Sequence, residues 1–502
     1  MERLKRASIS PFIYLLCRKL WSYFPTSSFS ISNFYLMMRY AFLFILSLLP
    51  FFRAQAGVPT LHDLQQQFVD LNFGMFIHFN IPTFAPDDWP DPDLPASAFA
   101  PDSLDCTQWA KAAKSAHMTY GCLTTKHHSG FCLWNTKTTD YNVMNSPLHR
   151  DVVREYVDAF RKEGLKVMLY FSILDTHHRL RPHMVTREKI DMVKAQLHEL
   201  LTGYGPITAL IIDGWDAPWS RLSYDSVPFK EIYDYIKSLQ PQCLVMDLNA
   251  AKYPREALFY TDIKSYEQGA GQHISTTDNT LPALACLPLQ RTWFWKTSMP
   301  TDTLKSPEWI VRENIVPYNT KAHCNFILNV APNRHGLMDA NALAALKEIG
   351  RLYKPVPSVP LPACDAPITE YNIAKGQPAE SSWSWDCNLM DFANDDDFTT
   401  DWESNVLVKN PFWQVQLDAS RPIDLVAITQ MEAGVLQSYR LSYQDKAGQW
   451  HVLFDGQAPS QNRVLEHRFA PVAACALRLD FTGYNGQVKL AEVGAYSAVP
   501  AK

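Results

Sequence analysis

Between residues 60 and 353, short apolar runs of β-type residues alternate with amphipathic helical stretches. That alternation constrains the fold more than any other feature of the chain. The β-type runs are Phe73–Phe79, Gly121–Thr125, Lys166–Phe171, Ile207–Ile212, Leu244–Asp247, Leu258–Thr261, Thr292–Trp295 and Asn325–Val330. Between them lie Cys106–Ala116, Arg150–Glu163, Thr186–Leu201, Phe229–Leu239 and Glu308–Ala322, and Leu343–Tyr353 follows the last run. In Arg150–Glu163, Val152, Val153, Tyr156, Val157 and Phe160 share one face at a period of about 3.6 residues, the signature of a helix packed on a core. Eight strands with intervening helices predict the α/β class and an irregular (β/α)8 TIM-like barrel. Helix signals are weak over Tyr253–Pro307, where the irregularity is expected. The alternative, a doubly wound open sheet, lacks the G-x-G-x-x-G turn after its first strand.

Lys354–Pro367 holds five prolines in 14 residues. Proline removes backbone donors and stiffens the chain, so this segment reads as an inter-domain linker. Beyond it come short alternating runs without a helical pattern: Phe412–Leu417, Leu425–Gln430, Tyr439–Gln444, Trp450–Phe454, Leu477–Phe481 and Val488–Tyr496. They predict an all-β sandwich or jelly roll. The organisation is therefore an N-terminal extension (1–56), a catalytic barrel (57–353), a linker (354–367) and a β-sandwich (368–502).

Ala41–Phe52 is an apolar run of 12, preceded by Arg39 and followed by Ala54-Gln55-Ala56. A basic start, a short apolar stretch and an A-x-A site describe a secretory signal peptide cleaved after Ala56. The run is shorter than the about 20 apolar residues that span a bilayer, so no stable membrane span is expected after cleavage. Such a signal belongs at the start of a chain, which points to Met37 or Met38 as the first translated residue. The whole chain has 46 Lys+Arg against 51 Asp+Glu, a formal charge of −5. Residues 1–56 hold seven basic residues and one acidic residue, so the chain from Gly57 carries −11. An exported, acidic protein, periplasmic or secreted, is a poor binder of nucleic acid or anionic lipid. Ten cysteines occur without a C-x-x-C pair, which argues against zinc ribbons and thioredoxin-type sites. Most read as buried small hydrophobes, and Cys364–Cys387 is the candidate disulfide.

In a barrel of this type, chemistry sits at the C-terminal ends of the strands. Read in order, those ends carry His78, Lys126-His127-His128, Ser172, Asp213, Asn249, Glu267, Trp293/Trp295 and Asn329. Asp213 ends ALIIDGWD: four apolar residues bury the strand, the carboxylate emerges at its end, and Gly214 turns the chain. A carboxylate flanked by aromatics suits a nucleophile attacking a sugar carbon; the ordinary alternative is an Asp that opens a turn. His78, His127 and His128 lack metal-ligand spacing, and no metal is expected at this rim. Neutral imidazoles bonded to several hydroxyls fit better. His177-His178 either line the same rim or sit on its loop.

These motifs converge on a resemblance. FGMFIHFN, TTKHHSGFCLWNT, LKVMLYFS, ALIIDGW and FILNVAP, in that order, resemble the family 29 glycoside hydrolases, the α-L-fucosidases, over about Asp63–Lys354. KHHSGF…W is the most specific segment. The resemblance implies a (β/α)8-like barrel, a retaining reaction, Asp213 as nucleophile, and His78, His127 and His128 as fucose-binding groups. It further implies that Asp88, Trp89, Trp134, Tyr170 and Trp295 contact the sugar. HFN stands where members of the family often read HWG, so contacts there differ. The acid/base varies in position within the family. Glu267 in KSYEQG is favoured because it lies near a strand's C-terminal end; Glu256 is the competitor, expected at the opposite rim. The two carboxylates imply double displacement at a terminal α-L-fucoside of a glycan, with no cofactor for catalysis.

The C-terminal segments IAKGQPAESSWSWD, NDDDFTTDWES, PFWQVQLDASRPIDLVAIT, WHVLFDG and VKLAEVGAY resemble a discoidin-like (coagulation factor type C) module. That resemblance implies a structural calcium near Asp395 and Thr400, although Asp replaces the usual Gly of its acidic loop. Trp383 and Trp385 either stack on sugars or pack the sandwich. Two other functions stay open at this point: a carbohydrate-binding adhesin with a weak or lost activity, and a retaining glycosidase for another sugar.

Overall fold

In the computed structural model, residues 59–384, 389–418, 422–459 and 461–498 are described. The signal-peptide run, Met37, Met38, Trp385 and Cys387 lie outside them. Thr60–Lys502 packs as one compact unit.

Eight parallel strands form its first half: β1 (Phe73–Ile77), β2 (Tyr120–Lys126), β3 (Lys166–Ser172), β4 (Ala209–Asp213), β5 (Leu244–Asp247), β6 (Lys264–Glu267), β7 (Ala283–Pro288) and β8 (Cys324–Asn329). Their order is β5-β4-β3-β2-β1-β8-β7-β6, a near-closed barrel whose seam falls between β5 and β6. Nearly every strand residue is buried. That explains the continuous apolar runs: helices cover the outside and side chains fill the inside. One backbone bond and two side-chain groups bridge the seam. The Asp262 amide donates to Val245 O (2.8 Å), the Val245 amide donates to Asp262 Oδ2 (2.8 Å), and the Asp247 amide donates to Thr261 Oγ1 (3.1 Å).

Helices follow the strands at Cys106–Ser115, Val152–Lys162, Arg187–Gly203, Phe229–Leu239 and Ala340–Leu352. Asp105 and Asp151 cap the first two by accepting from backbone amides in the first turn, where four donors would otherwise lack partners. The stretch read as Glu308–Ala322 is helical in three consecutive pieces, Pro307–Trp309, a π-helical Ile310–Ile315, and Val316–Lys321.

Two strand positions are corrected. Leu258–Thr261 is not a barrel strand. Its aromatic residues are buried for a different purpose: Phe259 forms an isolated bridge with Ile368 and packs on Phe398 at 5.5 Å, both beyond the barrel. The sixth strand is Lys264–Glu267, whose opening charge masks it in the sequence; its ammonium is buried and donates to Tyr253 O and Pro254 O. Thr292–Trp295 is likewise a rim loop, and the seventh strand is Ala283–Pro288.

The second half is a sandwich of two antiparallel sheets, β10-β17-β12-β15 over β14-β13-β16-β11-β9. The strands are β9 (Ala379–Ser381), β10 (Trp402–Glu403), β11 (Phe412–Gln416), β12 (Ile423–Gln430), β13 (Leu436–Gln444), β14 (Trp450–Gln457), β15 (Val464–Val472), β16 (Ala476–Tyr484) and β17 (Lys489–Tyr496). Trp402, Trp413, Tyr439 and Phe481 fill the space between the sheets. In β12, Val426 and Ile428 point into that core, while Leu425 and Ala427 join the barrel's core with Val464, Tyr496 and Phe398. A strand buried on both faces has no polar face to alternate with. The sandwich is thus docked on the barrel through apolar surface. The proline-rich segment between them is pinned as well: Val356 O accepts from Asn72 Nδ2, Ser358 Oγ bonds Asp70, and the Leu361 amide donates to Gln66 Oε1.

Among the described residues, six cysteines (106, 122, 132, 243, 286 and 324) are buried. No helix among them is long and apolar enough to cross a membrane.

Candidate active site

The barrel's parallel strands aim the side chains at their C-terminal ends into one rim. Asp213, the last residue of β4, is 6% exposed. Its Oδ2 accepts from the Tyr170 phenol (2.7 Å), and its Oδ1 accepts from Asn249 Nδ2 (3.0 Å) and from the Gly214 amide (2.7 Å). Gly214 lies at φ +90°, and a Cβ there would sit 2.8 Å from the Leu174 backbone. The tight turn after the carboxylate therefore demands glycine. Three donors thus surround the two Asp213 oxygens. Burial, and next the charge of Asp213, push the Tyr170 hydroxyl well above its ordinary range, so it remains a donor.

Glu267 ends β6. Burial, and next the charge of Asp213, push its carboxyl up to about 7, against the Trp293 indole N–H, which pulls it down. That N–H donates to Glu267 Oε1 at 3.1 Å. Two carboxyls at one rim thus occupy opposed environments, one ringed by donors and one desolvated with a single donor. Glu256 lies elsewhere: it pairs with Arg255 at 3.3 Å, and its charge acts on Lys264, at the other end of β6.

The three histidines form a packed cluster. The His127 ring lies 4.0 Å from His128 and 6.1 Å from His78, and Phe294 caps His78 and His127 at 5.1 and 4.8 Å. Burial holds His78 at about 3 and His128 at about 4, and His127 well below the ordinary imidazole range, so all three are neutral at pH 7. Their neighbours fix two tautomers. Asn329 Nδ2 donates to Trp293 O, so its Oδ1 accepts, and His78 Nδ1 at 2.8 Å carries the proton. The Ser172 hydroxyl donates to Leu174 O, so its Oγ accepts, and His128 Nδ1 at 2.7 Å carries the proton. Both Nε2 atoms keep lone pairs, and that of His128 lies 3.7 Å from Asp213 Oδ2. His127 Nδ1 is buried without a partner.

Trp89 stacks on His128 at 4.8 Å and meets Trp219 edge to face at 5.1 Å. These indoles are 48% and 45% exposed and form an aromatic wall beside the cluster. Asp88, next to Trp89, is ion-paired with Lys296 at 2.8 Å. Trp134 is not gathered with this group: it is buried, and its indole N–H donates to Glu199 of the Arg187–Gly203 helix at 2.8 Å. Trp295 donates to Asp339 at 2.7 Å, whereas its neighbour Trp293 packs on His78 at 4.9 Å and bonds Glu267. Sequence reasoning assigned no role to Trp293, Phe294 or Trp219. Strand-end position carried a signal for the first; the other two carried none beyond residue type.

His177 and His178 tie the loops together. His177 stacks on Tyr141 at 3.8 Å, and His178 bonds Asp175 Oδ2 and Thr139 Oγ1, each at 2.8 Å. Buried Lys126 donates to Gln196 (2.9 Å) and pairs with Asp175 (3.5 Å), which fixes the loop carrying His127 and His128.

Among the described residues, no group of three His, Cys, Asp or Glu side chains is arranged to hold a metal ion. The acidic loop of the sandwich is internally bonded. Asp395 accepts from the Asp397 amide (2.9 Å) and the Thr400 hydroxyl (2.9 Å), Asp397 accepts from Thr399, and Lys375 Nζ sits 3.0 Å from Asp396 Oδ2. The Lys375 ammonium thus pairs with Asp396, while Asp395 and Thr400, the residues expected near a calcium, bond each other.

Comparison with known proteins agrees with this architecture. The family model Alpha-L-fucosidase matches residues 87–355, more than half of the chain, and the F5/8 type C domain matches residues 377–493. Alpha-L-fucosidase 1 of Arabidopsis thaliana is 30% identical over 322 residues, which is 59% of this chain and 60% of the relative. Alpha-L-fucosidase of Branchiostoma floridae is 28% identical over 36% of this chain and 49% of the relative. The chain spans about three-fifths of the length of the first of these curated relatives and about half of the second. Alpha-L-fucosidase isoenzyme 1 from Paenibacillus thiaminolyticus superposes with a TM-score of 0.51 at 23% identity, covering 84% of this chain and all of that one, and shares the fold.

Proposed function

This chain belongs to the α-L-fucosidase family, and on that premise we propose that it is an exported, retaining exo-α-L-fucosidase that removes terminal α-L-fucose from glycans. One observation carries the reading: Asp213 and Glu267 end two strands at the same rim, and the charge of the first helps keep the second protonated near pH 7. Pairs of carboxyls driven apart in pKa divide the roles of nucleophile and acid.

The Asp213 carboxylate, held by Tyr170 and Asn249, attacks the anomeric carbon while Glu267 gives its proton to the departing glycosidic oxygen. The glycosidic bond breaks, a fucosyl–Asp213 ester forms, and the leaving alcohol departs neutral. Glu267, now a carboxylate, takes a proton from water. The resulting hydroxide displaces Asp213, and fucose leaves with its configuration retained. The Nε2 lone pairs of His78 and His128 accept hydrogen bonds from sugar hydroxyls, and the His127 ring packed between them supplies a third imidazole. Trp89 and Trp219 offer indole faces to a sugar at the mouth. Asp88 orients with Lys296. Export rests on the run Ala41–Phe52 with the following A-x-A site.

The test is turnover of an aryl α-L-fucoside with the product anomer followed by NMR. Release of the α-anomer first supports the reading. Release of the β-anomer sinks the retaining mechanism. Stoichiometric sugar binding without product leaves a lectin.

A further inference from the structure

The wall of the barrel that faces the sandwich is also the wall that holds Asp213. Asn249, which donates to Asp213 Oδ1 at 3.0 Å, is itself fixed by Asp247, the last residue of β5. Asp247 is fully buried; one carboxylate oxygen accepts from the Asn249 amide at 2.9 Å and the other from the Tyr224 phenol. Tyr224 lies in the loop between β4 and the Phe229–Leu239 helix, stacked face to face on Tyr260 at 4.0 Å and 14°. Tyr260 belongs to the Leu258–Thr261 segment, outside the barrel strands. Its amide donates to Ile368 O (2.8 Å), and the Ile368 amide donates to Leu258 O (2.8 Å), where the chain enters the sandwich. Phe398 of the sandwich packs on Tyr253 and Phe259 at 5.4 and 5.5 Å. Lys375 of the sandwich lies 3.7 Å from Asp225, next to Tyr224.

We propose that Tyr224 is a positioning residue of the hydrolytic site, acting on Asp213 through Asp247 and Asn249, and that the docked β-sandwich holds Tyr224 in place through Tyr260. The inference rests on the hydrolase reading above. It gives the C-terminal domain a part in turnover separate from any sugar binding. Asp247 is faced by the Tyr224 phenol from the loop after β4, by the Asp213 carboxylate at the end of β4, by the Asn249 amide, and by the Lys252 ammonium. Burial pushes the Asp247 carboxyl up to about 7, and the Tyr224 bond works against that rise. As an acceptor from both Asn249 and Tyr224, Asp247 holds the relay in its ionised form.

Tyr224→Phe keeps the ring on Tyr260 and deletes only the hydroxyl. Asp247 then keeps its proton to higher pH and loosens its hold on Asn249. With an aryl α-L-fucoside, kcat at neutral pH is expected to fall roughly tenfold, the loss of one buried hydrogen bond, with KM within about twofold of wild type. The acid limb of the kcat profile moves to higher pH. On the sandwich side, Phe398→Leu is expected to lower kcat in the same direction, and the double variant loses less than the product of the two single losses. Melting curves confirm that each variant is folded. Unchanged kcat in Tyr224→Phe overturns the proposal, as does an equal loss at every pH accompanied by a raised KM. Independent, multiplicative effects overturn the link to the sandwich. A wild-type protein that turns over no aryl α-L-fucoside instead refutes the functional reading beneath it.

Discussion

Replacing Glu267 with glutamine tests the raised carboxyl in two ways at once. The group ordinarily loses its proton near 4.5, and here near about 7. At 1.36 kcal/mol per unit, the folded protein disfavours the Glu267 carboxylate by about 3 kcal/mol. Below pH 4.5 the carboxyl is protonated in the folded and unfolded chains alike, and its stabilising contribution is fully present. Between 4.5 and about 7 the unfolded chain binds fewer protons than the folded one, so stability falls as pH rises. Above about 7 that contribution is lost. Glutamine escapes this loss: Glu267→Gln is expected to match wild type at pH 4 and to exceed it by up to about 3 kcal/mol at pH 8. A unit of this size unfolds with an entropy of roughly 1 kcal/mol/K, so the gain reads as about 3 °C in melting temperature. Turnover of a fucoside with a poor leaving group should fall about 10²–10⁴-fold, the usual worth of general acid–base catalysis. Calorimetry at pH 4 and pH 8 with parallel kinetics decides. A variant no more stable than wild type at pH 8, or one with wild-type turnover, would refute the assignment of Glu267 as a desolvated acid.

The other predictions follow from single contacts. Trp293→Phe removes the donor that lowers the Glu267 pKa, so the alkaline limb of the kcat profile should move up by about half a unit to one unit, the worth of one hydrogen bond; a downward shift contradicts the contact. Asp213→Asn should reduce turnover by several orders of magnitude while sparing the fold. By removing a negative charge it should also lower the pKa of Glu267, measured by carbon NMR of labelled glutamate; an unchanged value would show that the two groups do not interact. Adding millimolar calcium should leave the melting temperature unchanged, because Lys375 already pairs with Asp396; a rise of several degrees would restore a metal to the sandwich loop.

The barrel was legible where burial on both faces produced continuous apolar strands flanked by amphipathic helices, as in β1 to β5 and β8. It was not legible where aromatic residues serve other surfaces. Leu258–Thr261 is apolar because it receives the sandwich, and Thr292–Trp295 because it lines the rim. The true β6, KSYE, opens on a lysine whose charge is hidden by two carbonyls of a distant turn, a pairing that no local pattern reveals. β15 was missed for a related reason: as an edge strand it carries Glu466, His467, Arg468 and Pro471, which an edge tolerates and a central strand does not. In the site, Asp213 and the three histidines were readable from their strand ends. The family resemblance supplied residue types at Trp134 and Trp295 but not the direction of their indoles, which helix Glu199 and loop Asp339 decide. Asn249 was readable at its strand end, but Asp247 and Tyr224 were hidden because their bearing on Asp213 depends on three successive hydrogen bonds, two of them between separate segments.

The central claim is that Asp213 forms a covalent bond with the sugar, and covalent trapping tests it most directly. A 2-deoxy-2-fluoro-α-L-fucosyl fluoride slows both displacement steps but leaves the first feasible through its good leaving group. After incubation and proteolysis, mass spectrometry should find one fluorofucosyl group on the peptide containing ALIIDGW, attached to Asp213. An adduct on Glu267, Glu256 or Asp247, or steady hydrolysis of the probe with inversion and no adduct at any carboxyl, would contradict the account.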